Sequence, residues 1–506
     1  MPEAPAVQPY DVHNRLLVSN THPPDWANPA PAERYNLAVM GGGTAGLISA
    51  AGTAGLGARV ALVERAFLGG DCLNVGCVPS KALIRASRAA AAVRGAHDYG
   101  VEAPTGARVN FPAVMERMRW LRAALSPNDS AARFRGLGVD VFFGDARFTG
   151  PDTVEVGGRG LPFRRAVIAT GARAARPDIP GLTEAGFLTN ETVFTLTELP
   201  PRMAVIGAGP IGCELAQAFA RFGARVSLLG NRPQIMPRED SDAARIVDEQ
   251  MRRDGVNLIL GCNVLRVVRE GADKVLHLDC KGQPTEVRAD AILVGVGRAP
   301  NVQGLDLEAA GVAYDEKEGV KVNDRLQTTN RRIFAAGDIC SRFKFTHAAD
   351  AMARVAIQNA LFFGRARASA LVIPWCTYTD PEVAHVGLYE AEAKARGIDV
   401  QTFTEPMAHV DRAVLDGDTD GFVKVHVRAG SDRIVGATVV ARHAGEMISE
   451  LTLALVGGLG LRTLARTIHP YPTQAEAIKR VADAYNRTRL TPFVKGLFQK
   501  WLAWMR

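Results

Sequence analysis

A glycine-rich turn set between an apolar strand and a helix occurs twice in this chain, 166 residues apart, and no other feature limits the fold as strongly. The first copy starts at Tyr35 and reads NLAVM, GGGTAG, LISAAGTAGLG, ARVALVE; the second reads MAVI, GAGPIG, CELAQAFARFG, ARVSLLG. Both carry GARV, at 57–60 and 223–226, so the register between them holds to the residue. Strand, tight turn, helix and strand form the opening of a βαβ unit. Two such openings predict two doubly wound, Rossmann-like nucleotide-binding domains of the α/β class.

In the first copy Gly41, Gly43 and Gly46 form G-x-G-x-x-G. Gly41 permits the turn and Gly43 leaves bare backbone against a pyrophosphate. Gly46 lets the helix, which begins around Thr44 and Ala45, pack closely on the strand with its first N–H groups facing the phosphates. Glu64 ends the second strand, where a carboxylate accepts from the ribose hydroxyls of an adenine dinucleotide. Gly207, Gly209 and Gly212 repeat the fingerprint, but Gly230 stands where the twin has Glu64. A carboxylate there would repel a 2′-phosphate, and Arg232 and Arg238 follow as candidates to clamp one. NADPH is therefore expected at the second site, with NADH as the alternative; the bland reading of the two arginines is a solvated surface loop.

Further strands run into glycine at RAVIATGA (165–172), ADAILVGVGRAPN (289–301) and RRIFAAGDI (331–339). From about residue 370, FVKVHVR and RIVGATVVA alternate with the helix-like EMISELTLALV, the texture of an α+β domain with a mostly antiparallel sheet. Residues 1–35 hold seven of the 28 prolines, so an extended arm rather than a helix is expected there. The net charge of +7 comes with no dense basic run or aromatic-interleaved patch, which argues against a nucleic-acid partner. The first residues lack a basic and an apolar signal region, and no apolar run reaches ~18 residues. Seven scattered cysteines with one close pair point to a reducing cytoplasm rather than a secreted disulfide framework.

That close pair is Cys72 and Cys77, in GGDCLNVGCVPSKAL directly after the first nucleotide unit. One helical turn can bridge this spacing as a disulfide if the first cysteine sits at a helix start. Zinc would need a second Cys/His pair at finger spacing, and none exists. A thiol near a helix N-terminus has a lowered pKa, which suits dithiol–disulfide exchange.

C-x-x-x-x-C between two dinucleotide fingerprints resembles the class I pyridine nucleotide-disulfide oxidoreductases, the group of glutathione reductase, lipoamide dehydrogenase and mercuric reductase. The resemblance spans about Tyr35 to Glu476. It implies FAD at the 41–46 site, where Gly70 of GGD also approaches the cofactor, and the nicotinamide nucleotide at 207–212. Cys77 then resembles the flavin-facing thiol and Cys72 the interchange thiol. Lys81 and Glu214 resemble the ion pair beside the flavin, Asp338 the ligand of the FAD ribityl chain, and His347 a residue lining the flavin. Thr170 and Gly171 resemble a further FAD contact and Gly297 the turn beside the nicotinamide. The implied order is an arm (1–35), an FAD domain in two parts (36–180 and 298–368), an NAD(P) domain (181–297), a dimerisation domain (369–490) and a tail (491–506). The expected assembly is a homodimer, because the family arrangement brings the segment around 471–476 to Cys72 only from the partner subunit.

The chain departs from its disulfide-reducing relatives in one segment. His469-Pro470-Tyr471-Pro472-Thr473-Gln474-Ala475-Glu476 puts Tyr471 where H-x-H-P-T-x-x-E has its acid–base histidine. A phenol with an ordinary pKa near 10 is a poor base at neutral pH. Tyrosine there resembles mercuric reductases, whose acceptor is a thiolate-bound soft metal ion. A Cys-x-x-Cys carrier domain and a cysteine pair after Cys376 are absent from the sequence, however. His469 is a candidate replacement base, or simply a turn residue; Cys340 and Cys376 are candidate auxiliary thiols or small buried hydrophobes. The expected activity is NADPH-dependent, FAD-mediated reduction of such an acceptor. A lipoamide-dehydrogenase-like disulfide reductase is the alternative, and a flavoprotein sensor or electron carrier the non-enzyme reading. The tail TPFVKGLFQKWLAWMR reads as a helix with a wide apolar face, suited either to the inner membrane surface or to packing on the dimer or the arm.

Overall fold

The computed structural model describes residues 7–104 and 106–506. The chain divides into two compact units, one running to Pro233 and resuming over Gly255–Leu371, the other made of Gln234–Asp254 and Val372–Arg506.

Both nucleotide fingerprints lie in the first unit. Its larger sheet sets five strands in parallel, in the order Val139–Phe143, Val60–Glu64, Tyr35–Met40, Arg159–Ile168 and Ile333–Ala335. Tyr35–Met40 is buried at every position but one, as a parallel strand covered on both faces must be. Leu37 and Val39 join a core with the helices Thr44–Ala54 and Thr346–Leu361. Ala38 and Met40 join a second core with Phe148, Phe163 and Leu305. The second fingerprint sits on a four-stranded parallel sheet in the order Asn257–Leu260, Arg225–Gly230, Arg202–Ile206, Ala291–Val294. Its helix, Pro210–Phe222, is almost entirely buried.

Three antiparallel strands follow, Cys262–Glu270, Asp273–Cys280 and Gln283–Ala289. A disulfide joins Cys262 to Cys280 across the first two. The cysteine spacing had suggested no such link.

The second unit is the expected α+β domain. A five-stranded antiparallel sheet packs one face against the helices Ala444–Val456 and Glu476–Thr488. Helix Ser241–Arg253, expected within the NAD(P) domain, groups with this unit instead. The cause is a set of polar contacts: Lys424 pairs with Asp240 at 3.0 Å and Asp242 at 2.6 Å, and Glu239 accepts from Trp375 Nε1 at 2.9 Å.

The arm is where expectation fails: Val12–Thr21 is an α-helix. Its prolines, at positions such as 9, 23 and 24, flank a proline-free window rather than interrupt it. Asp11 caps that window, its Oδ1 accepting from Asn14 N at 2.9 Å. The tail forms the helix Pro492–Trp504, none of whose residues is buried. Among the described residues no helix is long and apolar enough to cross a membrane.

Candidate active site

The first cradle is built by close packing. A Cβ on Gly41, which has φ +104°, would lie 2.4 Å from Ala169 O, and one on Gly46 would lie 1.7 Å from Gly41 O. Only glycine permits that approach. Gly70, at φ +55°, packs on Gly43 so tightly that its Cβ would sit 2.6 Å from Gly43 Cα. Gly43 precedes helix Thr44–Ala54 as an N-cap without a side-chain hydrogen bond, and a Cβ there would meet nothing nearer than 3.7 Å. Uncapped helical N–H groups behind bare backbone fit a pyrophosphate. Glu64 Oε2 accepts from Gly42 N at 2.6 Å and Oε1 from Ala66 N at 2.7 Å, which fixes the carboxylate beside the glycine turn. Burial pushes its pKa up against those hydrogen bonds. The residues present therefore fit FAD.

The cysteine pair differs in one respect from the sequence reading. Cys72 lies inside a short helix, Gly70–Asn74, and it is Cys77 that opens the next helix, Cys77–Arg94. Both are free thiols. A hydrogen bond from Cys72 is the main cause that brings Cys77 down to about 6, opposed by burial and aided by Thr346 and Lys81. Cys72 is pushed up by the same contact and by burial. The contact thus favours the thiolate at the helix N-terminus, on Cys77, over its neighbour Cys72.

Lys81, one turn along that helix, reaches Glu214 Oε2 at 2.8 Å. Glu214 is buried two residues beyond Gly212, so this ion pair joins helix Cys77–Arg94 to helix Pro210–Phe222 of the second fingerprint. Thr346 Oγ1 stands 3.5 Å from Cys77 Sγ, a contact the sequence reading missed. Beside it, His347 is exposed and stacks on Phe345 with ring centroids 5.4 Å apart. Arg298 was also missed: it pairs with Asp71 and lies 3.4 Å from Asp338, so the Asp338 carboxylate faces a guanidinium. Thr170 Oγ1 donates to Asn301 O at 3.0 Å, and Gly171 O accepts from Asn301 N at 3.0 Å.

The second cradle repeats the first. A Cβ on Gly207 would lie 2.5 Å from Gly295 O and one on Gly212 1.9 Å from Gly207 O, while Gly209 and Gly297 face open space. Gly230 is buried and Arg232 and Arg238 are exposed, Arg232 in the first compact unit and Arg238 in the second.

Within the second unit, the His469 side chain is 6% exposed and its Nε2 lies 3.0 Å from Glu450 Oε1. Tyr471 is 70% exposed; its hydroxyl donates to Asp411 Oδ2 at 2.9 Å, which raises the phenol pKa further. Glu476 opens helix Glu476–Thr488 and pairs with Arg480 at 3.0 Å. Cys340 is pushed up to about 12 by burial, so it is not poised as a thiolate, and Cys376 Sγ lies 3.6 Å from Thr377 O. Among the described residues no group of three or more His, Cys, Asp or Glu could hold a metal ion.

The sequence model of the pyridine nucleotide-disulphide oxidoreductases matches residues 35–353, and that of their dimerisation domain residues 373–482, which supports a homodimer. A mercuric reductase of Staphylococcus aureus is 34% identical over 453 residues, covering 90% of this chain and 83% of that one. A dihydrolipoyl dehydrogenase of Bacillus subtilis (strain 168) is 32% identical over 470 residues, covering 90% and 98%. The HOCl-induced flavoprotein disulfide reductase RclA of Escherichia coli, in a Cu(II) complex, superposes with a TM-score of 0.79 at 28% identity, covering 90% of this chain and 100% of that one.

Proposed function

The chain belongs to the pyridine nucleotide-disulphide oxidoreductase family, a flavoprotein oxidoreductase, and we propose that it passes electrons from NADPH to a soft metal ion held by thiolates rather than to a disulfide. The observation that carries this reading is the occupancy of the acid–base position. The Tyr471 hydroxyl donates a hydrogen bond to Asp411, which holds the phenol protonated, and the nearest substitute, His469, is buried against Glu450. A phenol held protonated does not supply the base that a disulfide-cleaving interchange thiol requires, and the His469 ring is taken up by Glu450 within its own domain. A metal ion bound by two thiolates takes electrons without that proton. The mercuric reductase of S. aureus is a relative whose name points the same way, and RclA, titled a disulfide reductase, is nevertheless described in complex with Cu(II).

FAD, when bound, supplies hydride acceptance from the nicotinamide and two-electron reduction of a disulfide. Cys77 holds negative charge beside Lys81, and Cys72 presents the second sulfur to the acceptor. With Hg(II) as acceptor the reaction balances as NADPH and Hg(II) giving NADP⁺, Hg(0) and one proton. Tyr471 and Glu476 of the partner subunit would close the acceptor site in the homodimer. Gly230 and Arg232 support NADPH over NADH.

Steady-state NADPH oxidation with Hg(II), Cu(II), glutathione disulfide and lipoamide tests this. Metal-dependent turnover that disappears in Cys77→Ser is expected. Rapid lipoamide turnover with no metal-dependent rate would overturn it in favour of a dihydrolipoyl-dehydrogenase-like enzyme.

A further inference from the structure

The helix Val12–Thr21 precedes the first fingerprint, and the proposed chemistry gives it no role. It nevertheless packs on helix Phe111–Leu125 with Leu17 and Val18 buried, and it carries a fully buried asparagine, Asn14. Asn14 Oδ1 accepts from Arg122 Nη2 at 2.6 Å. The other arm of the same guanidinium, Nη1, donates to Asn74 O at 2.6 Å. Asn74 is the last residue of the short helix that bears Cys72.

Carbonyls at a helix C-terminus have no partner within the helix and must find one elsewhere. Here two side chains provide it: Arg122 at Asn74 O, and Asn190 Nδ2 at Val75 O, 3.2 Å away. The Asn74 side chain ties the helix back on itself, donating to Gly70 O at 2.8 Å and Leu68 O at 3.1 Å. Thr21, at the end of the N-terminal helix, accepts from Leu68 N at 3.1 Å. The segment from Leu68 to Val75 is thus gripped from both ends.

Arg122 is an expensive way to make such a grip. It is 5% exposed, its Nε has no hydrogen-bond partner, and both acceptors it uses are neutral. Burial draws its pKa down to about 10, which leaves it charged at neutral pH. An interior cation without a contacting carboxylate costs stability, and an apolar residue in its place would pack more cheaply.

We propose that Asn14 and Arg122 are positioning residues for the redox pair: the N-terminal helix, acting through Arg122, fixes the C-terminal end of the Cys72 helix and so holds Cys72 against Cys77. The inference requires only that Cys72 and Cys77 form the redox pair; it is independent of the acceptor. Its consequence lies in the disulfide equilibrium. Closing two thiols into a disulfide depends on their effective concentration toward each other, and a loosened Cys72 helix lowers it.

The test equilibrates the purified holoenzyme with dithiothreitol redox buffers, quenches by alkylation and reads the Cys72 and Cys77 peptides by mass spectrometry. No metal or disulfide substrate is present, so failure of the acceptor proposal leaves this result intact. Asn14→Ala should shift the equilibrium toward the dithiol by about tenfold, about 30 mV for a two-electron couple. Asn14→Asp, which keeps the acceptor oxygen, should restore the wild-type value. Trp26→Phe removes a different contact of the same arm, the 3.1 Å bond to Val141 O, and should not shift it. Should Asn14→Ala fail to fold, Arg122→Lys, whose single ammonium cannot span both acceptors, carries the same expectation. An unshifted Asn14→Ala or Arg122→Lys, or an equal shift in Trp26→Phe, would show that the arm merely stabilises the fold.

Discussion

The two nucleotide units share the hydrogen bonds that close their strand ends and differ at one pair of positions beside the turn. Gly41 N donates to Val63 O and Gly207 N to Leu229 O, both at 2.8 Å; Ala169 N donates to Met40 O and Gly295 N to Ile206 O, again both at 2.8 Å. The divergence is at Gly42 and Glu64 in the first unit against Ala208 and Gly230 in the second. A Cβ on Gly42 would strike Glu64 Oε2 at 3.1 Å and Leu68 Cδ2 at 2.5 Å, while a Cβ on Gly230 would strike Ala208 Cβ at 2.9 Å. Each unit keeps one glycine of the pair, but at opposite positions. The turn geometry is common property, then, and the two positions are sterically coupled, so that exchanging the acid alone does not convert one unit into the other.

The strongest way to break the likeness is to fill the shared close approach in one unit at a time. Gly46→Ala places a methyl 1.7 Å from Gly41 O, and Gly212→Ala one 1.9 Å from Gly207 O. Neither backbone oxygen can retreat without moving helix from strand. Gly46→Ala should purify without flavin absorbance or fail to fold. Gly212→Ala should keep its flavin and lose nucleotide binding, measured by calorimetry with NADPH. Loss of flavin from Gly212→Ala would mean that the two cradles are not independent.

A smaller effect should follow from cutting the bridge between the units. Lys81 is about one-third exposed and Glu214 nearly buried, so removing them is not equivalent. Lys81→Met removes the ammonium that faces a buried carboxylate and should cost ~1–3 kcal/mol in denaturant unfolding, less than a fully buried pair because water reaches the lysine. Glu214→Gln leaves a lysine that can hydrate and should cost less. Equal costs would show that the pair acts as a surface bridge.

How far the sequence discloses such features depends on whether they are local. The fingerprints, Glu64 and the Cys72/Cys77 pair are each read within one short segment, and family resemblance linked Lys81 to Glu214 across 133 residues. Arg298 and Thr346 went unread because their partners, Asp71 with Asp338 and Cys77, come from distant strands and helices. The N-terminal helix was hidden by averaging: seven prolines in 35 residues outweighed a proline-free stretch whose signal, Asp11 three residues before Asn14, was present. The Cys262–Cys280 link was hidden by register. A β-bulge between Val264 and Arg266 shifts the hairpin pairing by one, and only that shift sets Cys280 opposite Cys262.

The smallest effect expected is also the sharpest test of the comparison, because it exchanges the one pair that differs. Gly230→Glu alone should weaken both NADPH and NADH, since its Cβ collides with Ala208 before any carboxylate can reach a ribose. Ala208→Gly alone should change little beyond the flexibility of the turn. Together they rebuild the arrangement of the first unit, in which the N–H of Gly42 holds Glu64. The double variant should recover NADH and move the NADH to NADPH ratio of kcat/KM by about tenfold toward NADH, about 1.4 kcal/mol of coupling that neither single change shows. The physical reason is that the methyl of residue 208 and the side chain of residue 230 compete for the same space, while the other neighbour of that space, Leu260 Cδ2 at 3.0 Å, is the end of a side chain that can turn aside. Additive single effects would place discrimination elsewhere, with Arg232 the next residue to replace.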